Sequence, residues 1–171
     1  MMRPAAVLIG APGSGKSTVG RGLAERLGLP FRDTDADVEA VAGKPISEIF
    51  IDDGEERFRA LEREAVARAL AEHEGVLALG GGAILDPGTQ RALSGHVVVY
   101  LQVSLSEAVK RVGLASARPL LALNPRSRLR KLLEERLPIY ERLATISVDT
   151  TGREAAEVVE ELAAALTKEA R

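Results

Sequence analysis

The stretch GAPGSGKST, Gly10 to Thr18, constrains the fold more than any other part of this 171-residue chain. Gly10, Gly15, Lys16 and Ser17 satisfy the spacing G-x-x-x-x-G-K-[ST], and the apolar run AAVLIG leads directly into it. Val19, Leu23 and Leu27 follow at the three-to-four-residue spacing of a helix face, and Gly28 with Pro30 supplies the stop. Strand, glycine turn and helix in direct succession make a phosphate loop. Glycines let the backbone adopt conformations closed to other residues, so successive N–H groups point inward at phosphate oxygens, and the next helix adds its positive end. In such a loop Lys16 reaches the β- and γ-phosphates and the Ser17 hydroxyl ligates Mg²⁺, while Gly13, Ser14, Gly15 and Thr18 complete the cradle. The alternative, a coincidental glycine-rich turn, would not require the flanking strand and helix.

Further apolar runs, VLALGG and HVVVYLQV, alternate with stretches of helical spacing: Phe58, Leu61, Ala65 and Ala69, then Leu129, Leu132, Leu133 and Leu137 up to Pro138. A short strand, TISVD, and a helix with Val158, Val159, Leu162 and Leu166 end the pattern. Ser104 or Ser106 caps the crossover after HVVVYLQV. The alternation predicts one α/β domain over residues 1–171, three layers built on a five-stranded parallel sheet with helices on both faces. Gly113 to Arg128 fits poorly, with weak periodicity, two prolines and three arginines. It reads as a mobile lid or as a surface insertion.

Charge and composition remove several classes of function. Lys+Arg 23 against Asp+Glu 25 leaves a net charge of −2, which disfavours nucleic acid as a partner. The absence of cysteine excludes disulfides, thiolate metal sites and cysteine nucleophiles. No apolar run approaches the roughly 20 residues of a membrane span, and the N-terminal run is too short for a signal peptide, so a cytoplasmic protein is expected. His73 and His96 have no neighbours that complete a metal set, and Tyr100 and Tyr140 read as packing.

The phosphate acceptor is the open question. A guanine-specific switch would need N-K-x-D, but Asn124 is followed by Pro125, and neither VLALGG nor HVVVYLQV ends in the aspartate of a motor ATPase. In LPFRDTD, Asp33 and Asp35 follow a strand and face the ligand crevice if that segment stays extended. Asp33 then holds Mg²⁺ through water, and Asp35 receives the proton of an attacking hydroxyl. The competing reading makes Thr34 or Asp35 the cap of the helix ADVEAVA. In GEERFRALEREA, Glu55, Arg59 and Arg63 sit four apart, which is equally the pattern of a solvated helix face. Gly80, Gly81 and Gly82 close a strand at the same edge, either as a tight turn or as a place where a ligand meets the backbone.

Taken together, the phosphate loop, DTD, DGEERFRALE, LGGGAI, RPLL and RLPIYE resemble shikimate kinase in order and approximate spacing over nearly the whole chain. The resemblance implies a P-loop fold like that of nucleoside-monophosphate kinases, a monomer, and phosphoryl transfer from ATP to the 3-hydroxyl of shikimate in the pathway to chorismate. It further implies that Asp35, Arg59, Gly80, Gly81, Gly82 and Arg136 hold shikimate, within a substrate-binding helical region at about 34–63, with Arg59 and Arg136 on the carboxylate. It gives Ser17 and Asp33 to Mg²⁺, Lys16 and Arg118 to the phosphates, and Arg111 and Arg153 to the adenine. The stretch LASA before Arg118 departs from the polar residue expected there. Rival readings are a kinase of another hydroxy acid, such as gluconate, and a nucleotide-binding regulatory protein without an acceptor.

Overall fold

A computed structural model of the chain describes residues 3–114 and 125–169. The elements are β1 (Ala6–Ile9), α1 (Lys16–Leu27), β2 (Phe31–Asp33), α2 (Thr34–Ala42), α3 (Ile46–Glu72), β3 (Val76–Ala78), a 3₁₀ turn (Ala83–Leu85), α4 (Pro87–Ala92), β4 (Val98–Gln102), α5 (Leu105–Leu114), α6 (Pro125–Leu143), β5 (Ile146–Asp149) and α7 (Ala155–Glu169). The five strands form one parallel sheet in the order β2-β3-β1-β4-β5. Crossovers leave β1 first toward β2 and β3 and later toward β4 and β5. Its C-terminal end is therefore the switch point at which open parallel sheets bind ligands.

Alternation along β1 separates two apolar layers. Ala6 and Leu8 pack with Leu23 of α1 and Val158 and Leu162 of α7. Val7 and Ile9 face Val66 and Ala69 of α3 and Tyr140 of α6. Burial on both faces is why β1 reads as a continuous apolar run. Val38, Ile49, Phe58 and Leu61 tie α2 to α3, and Leu132 and Leu133 pack against Ala108 of α5. Ser104 caps α5, its hydroxyl accepting from Glu107 N at 3.2 Å.

The parallel sheet and its covering helices match the sequence expectation, with differences of detail. The helix expected to stop before Pro138 continues to Leu143. Proline removes one donor and strains the preceding turn, but Ile139, Tyr140 and Leu143 all pack into the sheet-facing core, and burial outweighs that local cost. Leu137, expected on the apolar face, is 42% exposed, while Arg136 and Tyr140 are buried at 4% and 0%. The helix of Phe58 and Leu61 also starts earlier, at Ile46, and breaks its helical path at Gly54, where φ is 86° and ψ 166°. Lys44 pairs with Asp52 and Asp53 just before that break, at 3.2 and 2.8 Å. The six-residue α4 had no counterpart in the sequence expectations because it is too short to show a period. Gly113 and Leu114 belong to α5 and residues 125–128 to α6, which leaves residues 115–124 of the segment expected as a lid. That segment, with Arg118, lies outside the described residues.

Candidate active site

The loop after β1 turns through left-handed backbone at Gly13 (φ 81°) and Gly15 (φ 91°), positions that need glycine. Gly15 opens α1, whose first turn carries no acid to offset its positive end. Lys16 Nζ donates to Gly10 O at 2.8 Å and Ala11 O at 3.1 Å, so the ammonium lies curled over its own loop. From α5, Arg111 donates to Gly13 O at 3.0 Å and Thr150 O at 3.4 Å and pairs with Glu107 at 2.8 Å. Glu107 also accepts from Gly152 N, and that bond followed by Arg111 holds its carboxyl below the usual range. Arg153 follows, its N–H on Thr150 O at 3.1 Å and its guanidinium on Asp149 O and Glu161. Arg111 and Arg153 thus share one corner beside the phosphate loop.

Strand β2 ends in the residue that joins this loop to the acceptor side. Asp33 Oδ2 accepts from Ser17 Oγ at 3.0 Å, and Oδ1 accepts from Asp35 N at 2.9 Å. Asp33 is therefore both the partner of the loop serine and the N-cap of α2. This corrects two expectations: neither Thr34 nor Asp35 is the cap, and residues 33 to 35 are not one extended segment. Asp35 reaches the crevice from the first turn of the helix instead. Thr34 is spent on the facing strand end, its hydroxyl accepting from Gly80 N at 3.2 Å.

The turn Gly80–Gly82 is where the remaining side chains meet. A Cβ on Gly80 would lie 2.5 Å from Asp35 Oδ1 and 3.0 Å from Glu62 Oε2. On Gly81 it would lie 3.4 Å from Arg136 Nη1 and 3.2 Å from Pro12 Cδ of the phosphate loop. On Gly82 it would fall 2.5 Å from Arg59 Nη1. Two carboxylates and two guanidiniums from α2, α3 and α6 thus crowd a surface that only absent side chains leave open. Arg59 donates to Glu62 at 2.8 Å and lies 3.6 Å from Glu55. Arg136 is nearly wholly buried, and its Nε has no hydrogen-bond partner among the described residues. Burial pushes the Glu62 carboxyl above its ordinary 4.5, with Asp35 adding to the rise and Arg59 and Arg136 opposing it.

A buried arginine with an unsatisfied donor, beside a second arginine and a phosphate loop, is a place for an anion. The model of the family described as shikimate kinase matches residues 12–167. A shikimate kinase from Thermobifida fusca is 64% identical over 160 residues, covering 92% of this chain and 93% of the relative. The structure of a shikimate kinase from Acinetobacter baumannii in complex with shikimate superposes with a TM-score of 0.93 at 33% identity, covering 99% of this chain and 95% of that one. The chain belongs to the shikimate kinase family. A gluconokinase from Sinorhizobium meliloti covers 98% of this chain and 93% of its own, but with a TM-score of 0.58 and 25% identity.

Against that family background, the structure gathers Asp35, Arg59, Gly80, Gly81, Gly82 and Arg136 at one turn, and Ser17, Asp33, Lys16, Gly13, Ser14 and Gly15 around the loop beside it. Thr18 stands in the first turn of α1. Glu62, Thr34, Pro12 and Tyr140 also line or brace the site and were not singled out as site residues from sequence. All four lie within the motifs quoted above, and Glu62 stands three residues after Arg59 on one helix face.

Proposed function

We propose that this chain transfers the γ-phosphoryl group of ATP to the 3-hydroxyl of shikimate, giving shikimate 3-phosphate and ADP. The observation that carries the reading is the meeting of Asp35, Arg59 and Arg136 at Gly80–Gly82, with Pro12 of the phosphate loop in contact range of the same turn. ATP lies with its β- and γ-phosphates in Gly10–Ser17, against backbone N–H groups, Lys16 and the N-terminus of α1. To reach them Lys16 leaves Gly10 O and Ala11 O, exchanging neutral carbonyls for charged oxygens. Arg111 and Arg153 flank the adenine.

The planar carboxylate of shikimate takes the forks of Arg59 and Arg136, which sets the 3-hydroxyl before Asp35. The hydroxyl oxygen attacks the γ-phosphorus, the bond to the ADP oxygen breaks, and Asp35 accepts the hydroxyl proton. Glu62 holds Arg59 in place and balances the paired guanidiniums when no substrate carboxylate is there. Arg118, in the lid, adds positive charge at the transferring group and excludes water. Ser17 and Asp33 offer the hard oxygen ligands that suit Mg²⁺. Bound there, Mg²⁺ would supply charge neutralisation for the phosphates.

No helix among the described residues is long and apolar enough to cross a membrane, which supports the cytoplasmic setting. ADP release measured with ATP, Mg²⁺ and either shikimate or gluconate tests the reading. Turnover with shikimate alone is expected, and turnover with gluconate but not shikimate overturns it.

A further inference from the structure

A fully buried tyrosine behind the acceptor turn has no part in the chemistry proposed above. Tyr140 is 0% exposed, and its hydroxyl donates to Gly81 O at 2.7 Å. Its ring stacks on Tyr100 of β4 at 5.0 Å between centroids and 19° between planes, which holds the phenol oxygen at this place. Tyr140 stands four residues after Arg136 on α6, on the same helix face. One turn of α6 therefore presents a guanidinium to one side of Gly81 and a hydrogen-bond donor to its carbonyl. This turn exists only because α6 runs on past Pro138 to Leu143, against the local preference of proline.

We propose that Tyr140 is a positioning residue for the shikimate site: its hydroxyl fixes the peptide between Gly81 and Gly82, and with it the turn against which Arg59, Arg136 and Asp35 are set. The inference rests on the acceptor reading of that turn. Glycines in succession have wide backbone freedom, so a turn of three needs an outside restraint to hold one shape. The peptide is planar and trans. Pinning Gly81 O toward α6 therefore turns Gly82 N–H to the opposite side. It also sets the gap between Gly81, Pro12 and Arg136 Nη1. The phosphate loop's own hydrogen bonds, among the described residues, do not pass through this contact, and the loop meets the turn through the packing of Pro12.

The test is Tyr140→Phe, which keeps the ring and its stacking and deletes the donor. A lost neutral hydrogen bond predicts a shikimate KM raised roughly three- to tenfold, with the KM for ATP and kcat within about twofold of the parent. Tyr100→Phe removes a hydroxyl from the same ring pair without touching Gly81, and should leave the shikimate KM unchanged. An unchanged shikimate KM in Tyr140→Phe, an equal rise for ATP, or an equal effect in Tyr100→Phe overturns the inference. Because the chain has two tyrosines, 3-fluorotyrosine in the Tyr100→Phe background labels Tyr140 alone. Its ¹⁹F resonance should move on adding shikimate. A resonance unmoved at saturating shikimate overturns the inference even if Tyr140→Phe does not fold. Parent protein that fails to phosphorylate shikimate would sink the acceptor reading itself, a result distinct from a normal Tyr140→Phe.

Discussion

Gly82→Ala separates a fold requirement from a substrate requirement within a single methyl group. Gly82 has φ −98° and ψ 1°, a conformation open to alanine, so the backbone carries no strain from the change. The added Cβ would sit 2.5 Å from Nη1, 2.7 Å from Nη2 and 2.9 Å from Cζ of Arg59. To reach the 3.4 Å of ordinary contact the guanidinium must retreat by about 0.9 Å, the difference between 3.4 and 2.5 Å. Arg59 is a flexible side chain, so folding should suffer by less than about 1 kcal/mol, as for most changes that disturb only a partly exposed group. Binding is another matter. A charge-assisted hydrogen bond of about 2.8 Å lengthened by that distance passes out of bonding range. Losing one such bond costs about 1.5–3 kcal/mol, or roughly 10- to 150-fold in affinity. Titration calorimetry with shikimate should show that loss, while ATP affinity and Tm stay near the parent values. Unchanged shikimate affinity with a normal Tm would mean that the Arg59 fork does not bear on the substrate carboxylate, and would refute the reasoning.

Three further outcomes follow from the same geometry. Asp35→Asn, which keeps shape but removes the proton acceptor, should lower kcat about 10²- to 10⁴-fold with ATP affinity retained, and near-normal turnover would end the general-base role. Ser17→Ala removes the hydroxyl that meets Asp33 at 3.0 Å and should raise the Mg²⁺ concentration for half-maximal activity several-fold; a Mg²⁺ titration at fixed ATP checks it. Burial raises the Glu62 pKa, so the folded chain holds that proton more tightly than the unfolded one. The contribution stabilises the fold on the acid side and is lost as pH rises from the ordinary 4.5 through the folded value. Glu62→Gln cannot ionise, so its Tm relative to the parent should shift in the variant's favour as pH rises above the ordinary 4.5. A pH-independent difference would contradict the assignment.

Local chemistry made the nucleotide side readable. The loop's ligands are nearly all backbone groups and neighbours in one stretch, so spacing alone specifies the strand, the left-handed glycines and the helix start. The acceptor side has no such economy: Asp35, Glu62, Gly80 and Arg136 come from four segments, strand order put only Asp35 and Gly80 at one edge, and Arg136 joined them in advance only through the resemblance to a family. Asp33 shows how local reading erred. Its residue type suited both a cap and a partner for the phosphate loop, and the fold uses one oxygen to cap α2 and the other to accept from Ser17 Oγ.

The chain by itself determined the sheet, the phosphate loop and the class of chemistry, because apolar period and loop spacing act over a few residues and survive any context. Tertiary structure alone decided that α6 passes through Pro138, that Leu137 faces outward while Arg136 and Tyr140 turn inward, and that Glu62 joins the site. Those outcomes depend on burial against distant strands. The free energy of packing Ile139, Tyr140 and Leu143 exceeds what proline costs locally, and no window of sequence contains both sides of that balance.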